Sequence, residues 1–169
     1  MTRPAKDTSG LVTIRPAAAN DFDVVVVLEL EIFGRAAWSP QIVDAEFAAL
    51  GSSRFIAVAE AGGRLVGYGV VSYVDEVADI QRLAVRTTHR GRGVATGLLD
   101  RLLAEAVRLG CECALLEVAA DNRAALRVYG ARGFAEIAQR SRYYPGDVDA
   151  LVMELTLPAP SGSDRSQHD

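Results

Sequence analysis

The sequence predicts an α/β (α+β) domain, a mixed central sheet of about seven strands flanked by four helices. Three observations lead there. Apolar residues alternate between helical and strand periodicity in the order β-α-α-β-β-β-α-β-α-β-β. Gly62-Gly63 separates two apolar runs, a hairpin signature that needs positive φ. A strand ending at Leu83-Ala84-Val85 leads through the glycine-bearing Arg90-Gly91-Arg92-Gly93-Val94-Ala95 into an amphipathic run that reaches Leu109.

Leu11 to Arg15 reads as a short strand. Asn20 or Asp21 is placed to cap a helix bearing Phe22, Val25, Leu28 and Ile32, although the valines from Val24 to Val27 favour strand by their β-branching. Gly34 to Pro40 is a break, with Ser39 as N-cap and Pro40 at the first position of a helix carrying Ile42, Val43, Phe47 and Leu50. Phe55–Ala59 and Leu65–Val74 form the hairpin, and Val77–Val85 feeds the glycine loop.

The next helix lines up Val94, Leu98, Leu102 and Ala106, with Ala95, Leu99 and Leu103 beside them, and stops at Gly110. Cys111–Val118 is a strand, Asn122–Arg132 a short helix stopped by Gly133, and Phe134–Arg140 and Val148–Leu155 are the last two strands.

At 169 residues, 50% hydrophobic and 24% charged, the chain has the content of one globular domain. Residues 1–10 and 158–169 are polar and read as disordered tails around a domain at 11–157. A net charge of −4 with scattered arginines argues against a nucleic-acid partner. No apolar run approaches membrane-spanning length, and no apolar segment follows Arg3 and Lys6 as a signal peptide would require, so the expectation is a cytoplasmic protein without membrane contact. Cys111 and Cys113 alternate on the expected strand as two reduced thiols. Neither His89 nor His168 is spaced to complete a metal set with them, so no metal is expected.

A loop that gathers backbone N–H groups at a helix N-terminus suits phosphate. A P-loop requires Lys and Ser/Thr after its last glycine, but Val94 follows Gly93. A dinucleotide fold gains from the Gly91/Gly93 interval and from Glu117 at the end of the next strand; it loses from Thr96 at the third glycine position and from a loop that starts well after Val85. Glycines at 91 and 93 let main chain approach an oxyanion, while Arg90 and Arg92 are either charge-assisted donors or solvated loop residues.

Arg90-x-x-Gly93-x-Ala95 before a helix resembles the pyrophosphate-binding motif of the GNAT acyltransferase superfamily, and the resemblance extends from Leu11 to Leu155. It implies acetyl-coenzyme A as cofactor. It further implies that the strand backbone of Leu83, Ala84 and Val85 follows the pantetheine arm, and that the amides of Gly91, Arg92, Gly93, Val94, Ala95 and Thr96 surround the pyrophosphate.

Acetyl transfer to an amine needs a proton acceptor for the amine and a proton for the departing thiolate. Glu117 ends the apolar strand Ala114-Leu115-Leu116-Glu117-Val118, where partial burial would raise its pKa; the plain alternative is a salt-bridged strand-end residue. Tyr129 on the short helix is a candidate donor, or ordinary helix-to-sheet packing. The segment Leu116 to Ala125, continuing to Val128-Tyr129 and Gly133-Phe134, resembles the ribosomal-protein-alanine N-acetyltransferase branch of the superfamily. That resemblance implies Glu117 as proton acceptor, Tyr129 as proton donor and Asn122 as a cofactor contact; Asn122 is also a natural N-cap.

Trp38-Ser39 and Arg142-Tyr143-Tyr144-Pro145, with Asp149-Ala150 and Met153, recur in protein N-terminal acetyltransferases, and imply loops that wall a peptide slot. Gly130 departs from the helix-favouring residues usual after the tyrosine and would loosen the helix carrying Tyr129. The implied acceptor is a protein N-terminus, foremost a ribosomal protein beginning with alanine. An α-amine titrates near 7.7 to 8.0 and is already partly neutral, whereas a lysine titrates near 10.4. Lysine or a small amine as acceptor, and a non-catalytic acetyl-CoA-binding domain, remain as alternatives.

Overall fold

The structure, a computed structural model, describes residues 11–160. The expected tail at 1–10 and most of that at 158–169 lie outside the described residues; 158–160 are exposed and without regular structure. The elements are β1 (Val12–Pro16), α1 (Phe22–Phe33), α2 (Pro40–Ala48), β2 (Arg54–Ala61), β3 (Arg64–Val74), β4 (Val77–Val85), α3 (Val94–Arg108), β5 (Cys113–Ala119), α4 (Arg123–Ala131), β6 (Ala135–Tyr144) and β7 (Val148–Thr156). The strands form one mixed sheet in the order β1-β2-β3-β4-β5-β7-β6, so the expected seven strands and four helices are present. Two compact units divide the chain, and β3, β4 and α3 run through both.

The first unit comprises residues up to Val71 and Gln81–Leu102. Its sheet starts at the antiparallel β1–β2 pair and continues through the β2–β3 turn, where Gly62 and Gly63 have φ of 57° and 76°, as a two-residue turn of this hand requires. Val25, Leu28, Val43, Ile56, Val58, Leu65, Tyr68, Val70 and Ala84 make its core, with Phe22, Ile32, Phe33, Trp38, Phe47 and Leu50 packed against it. Ser39 caps α2 by accepting from the Ile42 N–H at 3.3 Å, with Pro40 at the first helical position.

Three local expectations change here. Neither Asn20 nor Asp21 caps α1 by its side chain, because a short 3₁₀ turn, Ala19–Asp21, precedes the helix. The buried Asp21 carboxylate instead accepts from the Ala18 N–H at 2.8 Å and from Arg15 at 2.8 and 3.0 Å. Ile42 is 45% exposed, and α2 ends before Leu50, which pairs with Arg54 in an isolated bridge.

The second unit comprises Ser72–Ile80 and the chain from Leu103 onward. Val77–Ile80 of β4 pairs in parallel with Cys113–Leu116 of β5. Strand β7 lies antiparallel between β5 and β6. Ala114, Leu116, Val118, Tyr129, Phe134, Ala150, Met153 and Leu157 are buried.

Strand β5 begins at Cys113, so the expected alternation of Cys111 and Cys113 on one strand does not hold. Helix α3 consumes Cys111 instead: the Gly110 N–H donates to the Val107 carbonyl and the Cys111 N–H to the Ala106 carbonyl, both at 3.0 Å, with Gly110 at φ 83°. This Schellman closure places Cys111 at its apolar C″ position. Both thiols are free, Cys111 buried and Cys113 partly so, and burial raises the pKa of each above the ordinary thiol value.

Candidate functional site

In the first unit, the glycine loop starts where β4 ends. Leu83 is partly buried, and Ala84 and Val85 are buried. The register with β5 stops at Ile80, so these three residues lie beyond the stretch of β4 that pairs with β5. A 3₁₀ turn, Thr87–His89, leads into the loop, in which Gly91 and Gly93 have φ of 72° and 77°. Both values lie in the left-handed region that a side chain disfavours.

A Cβ at either glycine would meet nothing within 4 Å, so the loop has an open face. The first helical hydrogen bond of α3 runs from the Gly97 N–H to the Gly93 carbonyl at 3.0 Å. The amides of Val94, Ala95 and Thr96 precede it and have no acceptor within the helix. Arg90 folds back, its Nε donating to the Val85 carbonyl at 3.1 Å, which ties the loop to the strand end; Arg92 is exposed.

Trp38 belongs to the same unit and is partly buried against the core. Its backbone N–H donates to Glu29 Oε1 at 2.7 Å, and the Arg82 guanidinium lies 4.6 Å from its ring centroid. Glu29 and Arg82 escaped the sequence reading. A signal was present: Glu29 falls on the stripe of Val25, Leu28 and Ile32, so helical spacing directs a carboxylate into the core.

In the second unit, Glu117 is exposed rather than buried: its side chain retains 31% exposure, and Oε1 pairs with Arg140 Nη2 at 3.0 Å. The burial expected of it fails because the strand carries its apolar neighbours Leu116 and Val118 inward and Glu117 outward. Tyr129 is the buried member of the expected pair. Burial first, and the nearby Tyr144 second, push its phenol up to about 12, so it is protonated throughout the physiological range.

Gly130 does not leave the end of α4 open. The Gly133 N–H donates to the Gly130 carbonyl and the Phe134 N–H to the Tyr129 carbonyl, at 3.0 and 3.2 Å, with Gly133 at φ 89°. The Tyr129 and Phe134 rings then meet edge-on at 5.8 Å, the apolar contact that accompanies this closure. At the other end, Asn122 Oδ1 accepts from the Ala125 N–H at 3.2 Å as N-cap.

Arg142, Tyr143 and Tyr144, expected in a loop, form the end of β6. The ladder with β7 shifts register between Arg140 and Tyr144, Arg142 takes φ 53°, and its N–H donates to Asp149 Oδ1 at 2.8 Å. That bond, with a second from Gln139, lowers the pKa of the Asp149 carboxyl. The irregularity sets Tyr143 edge-on to Tyr144 at 5.2 Å and 5.5 Å from the Arg140 guanidinium.

Contacts therefore join Glu117 to Arg140, Arg140 to Tyr143 and Tyr143 to Tyr144, and Tyr144 lies near enough to the Tyr129 phenol to act on it electrostatically. A carboxylate, a protonated phenol and two further aromatic side chains are groups of the kind that exchange protons with a nucleophile and a leaving group.

The chain belongs to the acetyltransferase (GNAT) family, whose pattern matches residues 25–134. Within that family it resembles N-alpha-acetyltransferases. It is 32% identical over 156 residues to N-alpha-acetyltransferase RimI of Mycobacterium tuberculosis, covering 89% of this chain and 96% of that one. It is 32% identical over 98 residues to the ribosomal protein bS18-alanine N-acetyltransferase of Escherichia coli, covering 56% of this chain. The crystal structure of the ribosomal-protein-S18-alanine N-acetyltransferase from Escherichia coli shares the fold with a TM-score of 0.80 at 24% identity, covering 94% of this chain and 100% of that one. Over the matched stretches, the chain spans 66% of the length of the Escherichia coli relative and 43% of that of an Arabidopsis thaliana N-alpha-acetyltransferase.

Proposed function

We propose that the protein is an acetyl-CoA-dependent N-α-acetyltransferase acting on a protein N-terminus, with a ribosomal protein that begins with alanine as the first acceptor to test. The observation that carries this reading is the run of contacts from Glu117 through Arg140 and Tyr143 to Tyr144, with Tyr144 acting electrostatically on the buried Tyr129 phenol.

The glycine loop fits the cofactor. Its open face, its two left-handed glycines and the unused amides of Val94, Ala95 and Thr96 suit a pyrophosphate, with Arg92 free to swing toward it. Arg90 acts as a brace through Val85, and Leu83 to Val85 offer strand backbone to the amide-bearing arm. Asn122 is assigned a cofactor contact beside its role as N-cap.

Bound acetyl-CoA supplies an acetyl group activated as a thioester. Glu117 takes a proton from the acceptor ammonium at a carboxylate oxygen, and Tyr129 holds a proton at Oη for the sulfur that leaves. Trp38, and separately Tyr143 and Tyr144, are each assigned a contact with the acceptor chain. An α-amine needs only modest base assistance at neutral pH, which suits a carboxylate that is exposed rather than buried.

The test is competition between an alanine-initiated ribosomal peptide, its N-terminally blocked lysine-bearing counterpart and a small primary amine, with acetyl-CoA and mass spectrometric readout. Preferential acetylation of the free peptide N-terminus is expected. Preferential modification of lysine or the small amine would overturn the acceptor assignment.

A further inference from the structure

Glu29 is fully buried in the first unit, on α1. Its carboxylate accepts from the Tyr68 hydroxyl, from Arg82 through Nε at 3.0 Å and through Nη2, and from the Trp38 N–H at 2.7 Å. Arg82 Nη2 also donates to the Ala36 carbonyl at 2.9 Å. The Arg82 guanidinium also lies over the Phe33 ring, 3.9 Å from its centroid, and over the Trp38 ring, 4.6 Å from its centroid. One arginine thus grips the α1–α2 connection at a carbonyl, at two aromatic rings and, through Glu29, at a backbone amide.

Core stability alone does not call for this arrangement, since a buried ion pair contributes little over well-packed apolar residues. Its distinctive product is orientation. The connection between α1 and α2 is a 3₁₀ turn, Gly34–Ala36, followed by exposed or half-exposed residues, among which Trp38 is only partly buried against the core. Arg82 adds a further constraint from β4, directly before Leu83.

We infer that Arg82, locked by Glu29, is a positioning residue that fixes Trp38 against the acceptor chain. The inference rests on the proposed function for the identity of the acceptor; the clamp itself rests on the contacts above.

Trp38 is the single tryptophan of the chain, so its fluorescence reports the clamp directly. Two variants of the full chain test it. Arg82→Lys keeps the charge but loses the planar stack and the forked grip. Glu29→Gln/Arg82→Met removes both charges together, so that no unpaired charge stays buried, and circular dichroism verifies its fold.

For the double variant, acrylamide quenching of Trp38 should rise, and KM for an alanine-initiated peptide should rise about tenfold or more, with kcat and KM for acetyl-CoA within about twofold. Arg82→Lys should recover part of both effects. A folded double variant with unchanged quenching, or with raised quenching and unchanged peptide KM, overturns the inference. If the unaltered protein acetylates no peptide, the acceptor assignment fails, and quenching alone then decides the clamp.

Discussion

Glu117 on β5 and Arg140 on β6 are joined at 3.0 Å although β7 lies between their strands. Glu117 sits opposite Val152 and Arg140 opposite Ala150, so both side chains reach past β7 to meet. With side-chain exposures of 31% and 56%, the pair contributes about 0–1 kcal/mol to stability at most. Its consequence is positional, because it holds the proposed proton acceptor beside the aromatic end of β6.

Replacing Glu117 by Gln keeps the shape and removes the base. We expect kcat for acetyl transfer to fall by roughly 10²- to 10⁴-fold, with acetyl-CoA affinity nearly unchanged. Steady-state kinetics paired with calorimetric titration of the cofactor would separate the two, and a loss of rate under about tenfold would reassign the base.

Tyr129 gives a pH signature. Its folded pKa, about 12, lies above the unfolded value near 10, so burial favours the protonated form. The unfolded chain ionises first as pH rises, and stability falls between about pH 10 and 12, by as much as roughly 2–3 kcal/mol. Urea midpoints across that window should show this loss in the parent and a smaller one in Tyr129→Phe.

Asp21 behaves oppositely. Arg15 and the Ala18 amide hold its carboxyl below the ordinary value, a contribution present above about pH 4 and lost on acidification. Asp21→Asn should therefore be less stable than the parent at pH 6 and approach it near pH 3; parallel acid-dependence curves would contradict the assignment.

Gly93→Asp places a carboxylate and a strained φ of 77° at the heart of the open loop face. Acetyl-CoA binding should be lost while thermal unfolding remains cooperative. Undiminished affinity in a titration would remove the pyrophosphate from this loop.

Gly130 has helical backbone and open space where a Cβ would stand. Gly130→Ala should stabilise the protein by about 0.5–1 kcal/mol, a rise of roughly 1–4 °C in Tm by calorimetry.

Much of this architecture was legible in the chain because local patterns fix it. Ser39-Pro40, Gly62-Gly63, Gly110 and Gly133 each sit where a cap or turn demands that residue, and the helical stripe from Val94 to Ala106 is buried throughout, as its spacing requires. The Arg90–Ala95 motif likewise announced a family that the matched residues bear out. Boundaries read less well where two local preferences compete: Cys111 was drawn into a Schellman closure rather than a strand, and Tyr143 into a bulged strand rather than a loop.

What sequence alone determined, then, is periodicity, punctuation and the residue types for the chemistry. Tertiary structure decided which charges are buried and which residues they meet. Glu29 is enclosed and Glu117 exposed because burial depends on which face each element turns to the core, and the arginines that meet them, Arg82 and Arg140, are distant in sequence and reach them only in the folded chain.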